Sequence, residues 1–189
     1  MLSTREDILA LLETIPDPEI PVISIVELGV IRDVQLRQQA VEVTITPTYS
    51  GCPAMKQMED DVRTALKHAG FEEIKISMVY NPPWTTDWMS ADAKEKLRKY
   101  GIAPPAESSA DKASITGKAR HVPCPRCHST HTTMVSQFGS TACKALFKCE
   151  DCLEAFDFFK CIWEKNQFVL KALDRGNLVN VEVEQKIHQ

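Results

Sequence analysis

The sequence predicts an α+β protein in two parts, a small two-layer α/β domain followed by a metal-bound ribbon. Two observations predict this division. The N-terminal half carries the periodicities of helices and strands, whereas the C-terminal third carries two matched cysteine pairs. We therefore predict an α/β domain over residues 1–101, a flexible linker over 102–121, the ribbon over 122–162 and an extension with a β-hairpin pattern over 163–189.

Each element of the α/β domain has its own signal. Apolar residues at Ile8, Leu11, Leu12 and Ile15 recur at helical spacing, so the pattern predicts a first helix capped by Ser3 or Thr4. The later elements follow in order: hairpin strands over 31–37 and 41–46, a helix from about 54 that ends at Gly70, a third strand over 74–80 and a charged helix over 90–99 that ends at Gly101.

The two cysteine pairs predict a metal centre. Cys124 and Cys127 form one Cys-x-x-Cys turn, or knuckle, and Cys149 and Cys152 form the other. This spacing lets both sulfurs of a turn face one ion, and four thiolates suit tetrahedral zinc. A closed set of four leaves no position for substrate, so we expect a structural zinc ribbon. Two alternatives stay open, a mixed site and an iron–sulfur cluster, which could recruit His128, His131, Cys143 or Cys161.

Composition restricts the setting and the partners. Seven cysteines indicate a reducing compartment, and Arg5, Glu6 and Asp7 stand where a signal peptide needs apolar residues, so we expect a cytoplasmic protein. No apolar run is long enough for a membrane span. The net charge is −4, and no basic run is present, so we expect no nucleic-acid partner.

Cys52 is a candidate reactive thiol. With Pro53 at the first helical position, Cys52 would be the N-cap of the second helix, where the helix dipole favours a thiolate. The alternative is a small buried residue. Asp17 and Glu19 lie in a proline-fixed loop and are candidate ligands or acid–base groups, unless they are solvated turn residues.

A tryptophan loop follows the third strand. Trp84, Thr85 and Trp88 do not fit a periodic face, and loop tryptophans can anchor a partner protein. They can equally cover the core of a small domain. Nucleotide-binding loops, a nucleophile elbow and Glu-x-x-His pairs are all absent from the sequence, which disfavours nucleotide chemistry, serine hydrolysis and a carboxylate di-iron centre.

Taken together, these motifs resemble the PaaD family of accessory proteins of the bacterial phenylacetyl-CoA epoxidase system. The N-terminal domain is also similar to SufT-type iron–sulfur assembly factors, whose reactive cysteine corresponds to Cys52. The resemblance spans about residues 9–162 and runs through both knuckles and the segments 17–21, 47–53, 84–89, 138–146 and 156–162.

The resemblance implies a role in maturing the epoxidase complex rather than in turning over its substrate. It implies that Cys52, with Asp17 and Glu19 as neighbours, holds iron or an iron–sulfur cluster transiently, in one chain or shared between two copies in a homodimer. The ribbon and the tryptophan loop would then dock the client, a reductase or di-iron oxygenase subunit. The alternative is a permanent, non-catalytic structural subunit of the complex.

Overall fold

The computed structural model describes residues 4–37, 40–105 and 122–160. Most of the predicted linker, Cys161 and the predicted hairpin in 163–189 therefore lie outside the described residues. The described elements are α1 (Arg5–Leu12), β1 (Ile31–Arg37), β2 (Ala40–Ile45), α2 (Ala54–His68), β3 (Glu73–Met78), a 3-10 turn (Thr86–Trp88), α3 (Ala91–Tyr100), β4 (Ile102–Ala103), β5 (Thr132–Ser136), β6 (Lys144–Cys149) and β7 (Ala155–Phe159).

The α/β domain has the two predicted layers. Its sheet has the order β1-β2-β3, with β1 and β2 antiparallel and β2 and β3 parallel, so α2 forms the crossover between β2 and β3. Alternate residues of β2 are buried, as expected for a strand with one face on the core. That core also receives one face of α2, which buries Ala54, Met55, Met58, Val62 and Leu66.

The ends of α1 and α3 follow the predicted capping residues. Thr4 is the N-cap of α1 and forms a capping box with Asp7. Ser90 caps α3, and Gly101 ends that helix at a φ of 95°, a left-handed conformation that glycine adopts without a steric penalty. Among the described helices, none is both long and apolar enough to cross a membrane.

The ribbon contains a four-stranded sheet in the order β4-β7-β6-β5. Strands β5, β6 and β7 are antiparallel neighbours, whereas β4 pairs in parallel with β7 through Ile102 opposite Asp157 and Ala103 opposite Phe158. The predicted domain boundary is therefore displaced here. The first two residues assigned to the linker form a strand of the ribbon's sheet.

The ribbon packs directly against the α/β domain. Phe159 and Cys143 belong to the same buried core as the residues of α1 and α2. The ring of Phe159 meets that of Trp84 edge to face, with ring centroids 6.0 Å apart. This arrangement differs from the sequence-based expectation of a ribbon that swings on a tether. The composition of residues 102–121 predicted a flexible linker, but it could not predict that Cys143 and Phe159, which lie later in the chain, pack into the core of the α/β domain.

Candidate functional site

The four knuckle cysteines form a compact group. The sulfur atoms of Cys124, Cys127, Cys149 and Cys152 all lie within 4.8 Å of one another. Across the group, the Cys124–Cys152 sulfur distance is 3.7 Å and the Cys127–Cys149 distance is 3.5 Å. Zinc–sulfur bonds of about 2.3 Å in a tetrahedron place the sulfurs about 3.8 Å apart. The four thiols therefore fit one tetrahedral metal ion.

The backbone shapes the turn of both knuckles and favours a thiolate at Cys149. His128 and Leu153, each directly after the second cysteine of its pair, adopt left-handed φ values of 63° and 62°. This conformation tightens each turn, and the His128 amide donates to the Cys124 carbonyl at 2.9 Å. Donation from the Cys152 amide is the main reason that the pKa of Cys149 falls to about 7. A thiolate at Cys149 is thus favoured before a metal binds.

The other proposed ribbon ligands lie outside this group. The Nδ1 atom of the exposed His131 lies 3.0 Å from the Asp151 carboxylate, and neither His128 nor Cys143 belongs to the group. Among residues 4–37, 40–105 and 122–160, the four knuckle cysteines are the one group of three or more His, Cys, Asp or Glu residues whose ligand atoms lie within 4.8 Å of one another. The mixed-ligand alternative therefore finds no support in the described part of the chain.

A second candidate site is a small cavity between the two domains, called the interdomain cavity below. Its lining includes Asp17, Glu19 and Cys52 from the α/β domain and Cys143 from the ribbon. The structure thus brings together the three residues that the sequence analysis proposed as neighbours. The volume of this cavity is about 10 Å³.

Asp17 is held in the wall of this cavity by its own loop. Its backbone amide donates to the Ile23 carbonyl at 2.9 Å. Its Oδ1 accepts from the backbone amides of Glu19 and Ile20, at 2.9 and 2.7 Å. The side chain is buried, with 4% of the residue's surface exposed, and this burial raises the pKa of its carboxyl. Asp17 is therefore a structural turn residue that also carries a poorly solvated carboxylate.

We expect Asp17→Asn to stabilise the fold at neutral pH. Because the pKa of Asp17 is raised in the folded state, its carboxyl stabilises the fold fully at pH values below the ordinary pKa of 3.8. This contribution to the free energy of unfolding is lost as the pH rises through the folded-state pKa. At pH 7 the buried charge is thus unfavourable, while an asparagine Oδ1 can still accept both amide hydrogen bonds. Thermal unfolding should show a higher melting temperature for the variant at pH 7 and a shrinking difference as the pH approaches 4.

The control for this prediction is Asp33→Asn. The Asp33 side chain is 45% exposed, and a hydrogen bond from Gln35 is the main reason that the pKa of its carboxyl is lowered. This variant should give no stabilisation at pH 7. A melting temperature for Asp17→Asn at or below that of the unchanged protein would contradict the prediction.

The chemical state of Cys52 differs from the sequence-based expectation. Pro53, not Cys52, is the N-cap of α2, and Cys52 lies one residue earlier in a turn closed by its amide and the Tyr49 carbonyl. Burial raises the pKa of the Cys52 thiol, although the Ala54 amide opposes the shift. The predicted activation by the helix dipole was therefore wrong in direction, because burial outweighs it. The thiol stays partly exposed, so a metal ion can reach it and displace its proton.

Cys143 is the site residue whose place the sequence analysis missed. Its Sγ lies 3.6 Å from Glu19 Oε2 and 3.0 Å from the Thr141 hydroxyl. Burial raises its thiol pKa to about 12. Its position shortly before the second knuckle suggested a spare ribbon ligand, and no spacing rule connects it to a loop more than a hundred residues earlier.

The tryptophan loop contributes mainly to the core. Trp84 is 0% exposed, and its Nε1 donates to the Leu28 carbonyl at 2.9 Å. Its burial corrects the prediction of a partner anchor at that position. Trp88 is half-buried beneath the Arg32 guanidinium, which lies 3.4 Å from the ring centroid, and the Thr85 hydroxyl accepts from the Asp87 amide. A docking role for Thr85 and Trp88 stays a prediction.

Comparison with known proteins gives a match for the α/β domain and another for the ribbon. Residues 5–78 match the family model described as "Iron-sulfur cluster assembly protein", and residues 108–160 match "PaaD zinc beta ribbon domain". An Escherichia coli K12 protein, named as a candidate 1,2-phenylacetyl-CoA epoxidase subunit, is 50% identical over 82% of this chain and 92% of its own length. The chain belongs to the PaaD family.

Other relatives match the N-terminal domain of this PaaD family member. A Porphyromonas gingivalis protein named "Fe-S protein maturation auxiliary factor" is 39% identical over 51% of this chain and 92% of its own length. A crystal structure of a domain of unknown function from Bacillus anthracis is 35% identical and covers 49% of this chain and 90% of that domain, with a TM-score of 0.46. The PaaD assignment thus rests on the relative that spans both domains.

Proposed function

We propose that this protein is an accessory factor that matures the phenylacetyl-CoA epoxidase complex by binding iron or an iron–sulfur cluster at Cys52 and passing it to a client subunit. The observation that carries the proposal is the meeting of Cys52, Asp17 and Glu19 at one cavity, with the thiol partly exposed. A thiol and two carboxylates are ligands that iron accepts. The bound metal is cargo in this proposal, not a resident cofactor.

The difference between the two sites supports a division of roles. The four-cysteine group offers a closed set of thiols, typical of a structural metal that stays bound, and we assign zinc to it. The interdomain cavity has no set of three ligand atoms as close as that group, so its ligands must move to enclose an ion. A site that closes only on binding holds metal less firmly, which suits transfer to another protein.

The relatives support the choice of client. One is named as an epoxidase subunit, and several matching the N-terminal domain are named as iron–sulfur protein maturation auxiliary factors. On this basis we propose that the client is a metal-containing subunit of the epoxidase, either the reductase or the di-iron oxygenase. We therefore assign no catalytic residue to this chain and place its action in the cytoplasm, before the epoxidase turns over.

The test is to express the epoxidase subunits with the intact chain, without it and with Cys52→Ser. The number of iron atoms per purified epoxidase and the epoxidase activity should both fall when the chain is left out or carries Cys52→Ser. Asp33→Asn is the control, because the Asp33 side chain is largely in solvent and lies away from both the cavity lining and the tryptophan loop. Full iron content and activity with Cys52→Ser would overturn the proposed role of Cys52.

A structural role is the second candidate, favoured by the relative's name as a subunit. It predicts that the chain co-purifies with the active epoxidase in fixed stoichiometry and that its removal from the finished complex abolishes activity. The maturation role predicts that the finished epoxidase stays active after the chain is removed. Measuring activity before and after separation on a sizing column decides between the two.

A further inference from the structure

We propose that Cys143 of the ribbon is a second thiol ligand in the interdomain cavity, where Cys143, Cys52 and Glu19 together bind a single divalent transition-metal ion. The inference rests on the proposed function, since it takes Cys52 to be a metal ligand. It adds the chain's own second sulfur, so a second copy of the protein is not needed to supply one. It also gives the ribbon a direct part in metal binding.

The position of Cys143 is the first support. Cys143 and Cys52 line the same cavity although they belong to different domains, and the Cys143 sulfur lies 3.6 Å from Glu19 Oε2. Cys143 directly precedes β6, and its carbonyl accepts from the Lys160 amide at 2.9 Å, just beyond the end of β7. The two ribbon strands thus fix the thiol against the loop that carries Asp17 and Glu19.

The charge at the cavity is the second support. Asp17 is buried, and its Oδ1 accepts two backbone amides, while no hydrogen bond to its other carboxylate oxygen is found among the described residues. A nine-tenths buried carboxylate with one unused oxygen in a cavity wall favours a cation there. The neighbouring cation, Lys144, forms an ion pair with Asp157 at 3.9 Å, which offsets its charge.

The size and ligand chemistry of the cavity select the occupant. The space inside the cavity, about 10 Å³, accepts one ion or one water. Two thiolates with carboxylate oxygen suit iron(II), cobalt(II) or zinc(II) better than magnesium or calcium, which prefer oxygen alone. On binding, each thiol releases its proton to solvent as its sulfur joins the metal.

Cobalt(II) is the probe for this site, because its thiolate charge-transfer absorption grows with the number of bound sulfurs. The full chain is first filled with zinc at the four-cysteine group and then titrated anaerobically with cobalt(II). Protein filled with cobalt at the four-cysteine group gives the four-sulfur reference. We expect one further cobalt ion per chain, whose thiolate absorption is about half that of the four-sulfur reference. This measurement tests the inference on the unaltered protein alone.

Variants separate this inference from the proposed function. Cys143→Ala and Cys143→Ser should each halve the absorption again and weaken cobalt binding at least tenfold, because losing even a residue that only supports a ligand typically weakens metal binding about tenfold or more. Thr141→Ala, which removes the hydroxyl beside the Cys143 sulfur but no proposed ligand, should change binding much less. Zinc content and near-ultraviolet circular dichroism report whether each variant keeps its fold.

The outcomes are distinct. If cobalt binding depends on Cys52 and is unchanged in both Cys143 variants, or if unaltered protein shows single-thiolate absorption, the inference is wrong and the proposed function stands. If neither Cys52→Ser nor the Cys143 variants change cobalt binding, both are wrong. Loss in the variants of both cysteines, with zinc retained, supports the second thiol.

Discussion

Replacing Cys149 with serine is expected to abolish metal binding at the four-cysteine group and unfold the ribbon. Cys149 is a buried member of the group, and the Cys152 amide donates to its sulfur. Structural zinc supplies about 10–16 kcal/mol of apparent binding free energy in small zinc modules, more than a short ribbon retains without it. Zinc per chain and amide hydrogen exchange across β6 measure the effect.

The matched control for this prediction is Cys143→Ser, another buried cysteine of the ribbon that lies outside the four-cysteine group. It should retain one zinc per chain, and the amides of β6 should stay protected. A Cys149→Ser protein with full zinc content and unchanged amide protection would contradict the assignment of the group as the structural metal site.

Replacing Trp84 with alanine is expected to lower the free energy of unfolding by about 3–5 kcal/mol, the usual loss when a large buried aromatic side chain is removed from a core. Trp84 is 0% exposed, donates to the Leu28 carbonyl and packs against Phe159 of the ribbon. The variant should therefore also loosen the contact between the two domains. Urea unfolding followed by circular dichroism gives the free energy.

Trp88→Ala is the control for the Trp84 prediction. Trp88 is half-buried, and its cation–π contact with Arg32 contributes about 0.5–1 kcal/mol at an exposed site. Its loss should therefore be clearly smaller. Equal stability of Trp84→Ala and the unchanged protein, combined with weaker binding to epoxidase subunits, would restore Trp84 as a partner anchor.

Most helices and strands could be predicted from the sequence because short-range patterns specify where they begin and end. The capping box at Thr4, the stop at Gly101 and the spacing of the knuckles are short-range signals. The helices and strands of the α/β domain accordingly lie within a few residues of their predicted bounds. Family resemblance, not spacing, connected Asp17 and Glu19 with Cys52.

The long-range features could not be predicted in this way. The contacts of Cys143 with Glu19 and of Phe159 with Trp84 join residues far apart in the chain, and neither pair has a sequence signature. The two-residue strand β4 is too short to show an alternating pattern. The raised pKa of Cys52 follows from burial, which depends on the packing of the whole cavity.

The direct test of the account is the number of iron and zinc atoms per chain after anaerobic loading with iron(II), measured for the unchanged protein and for Cys52→Ser. We expect about one zinc per chain in both proteins, and bound iron in the unchanged protein but not in Cys52→Ser. Equal iron in the two proteins, at equal zinc, would contradict the claim that Cys52 binds the metal this protein delivers.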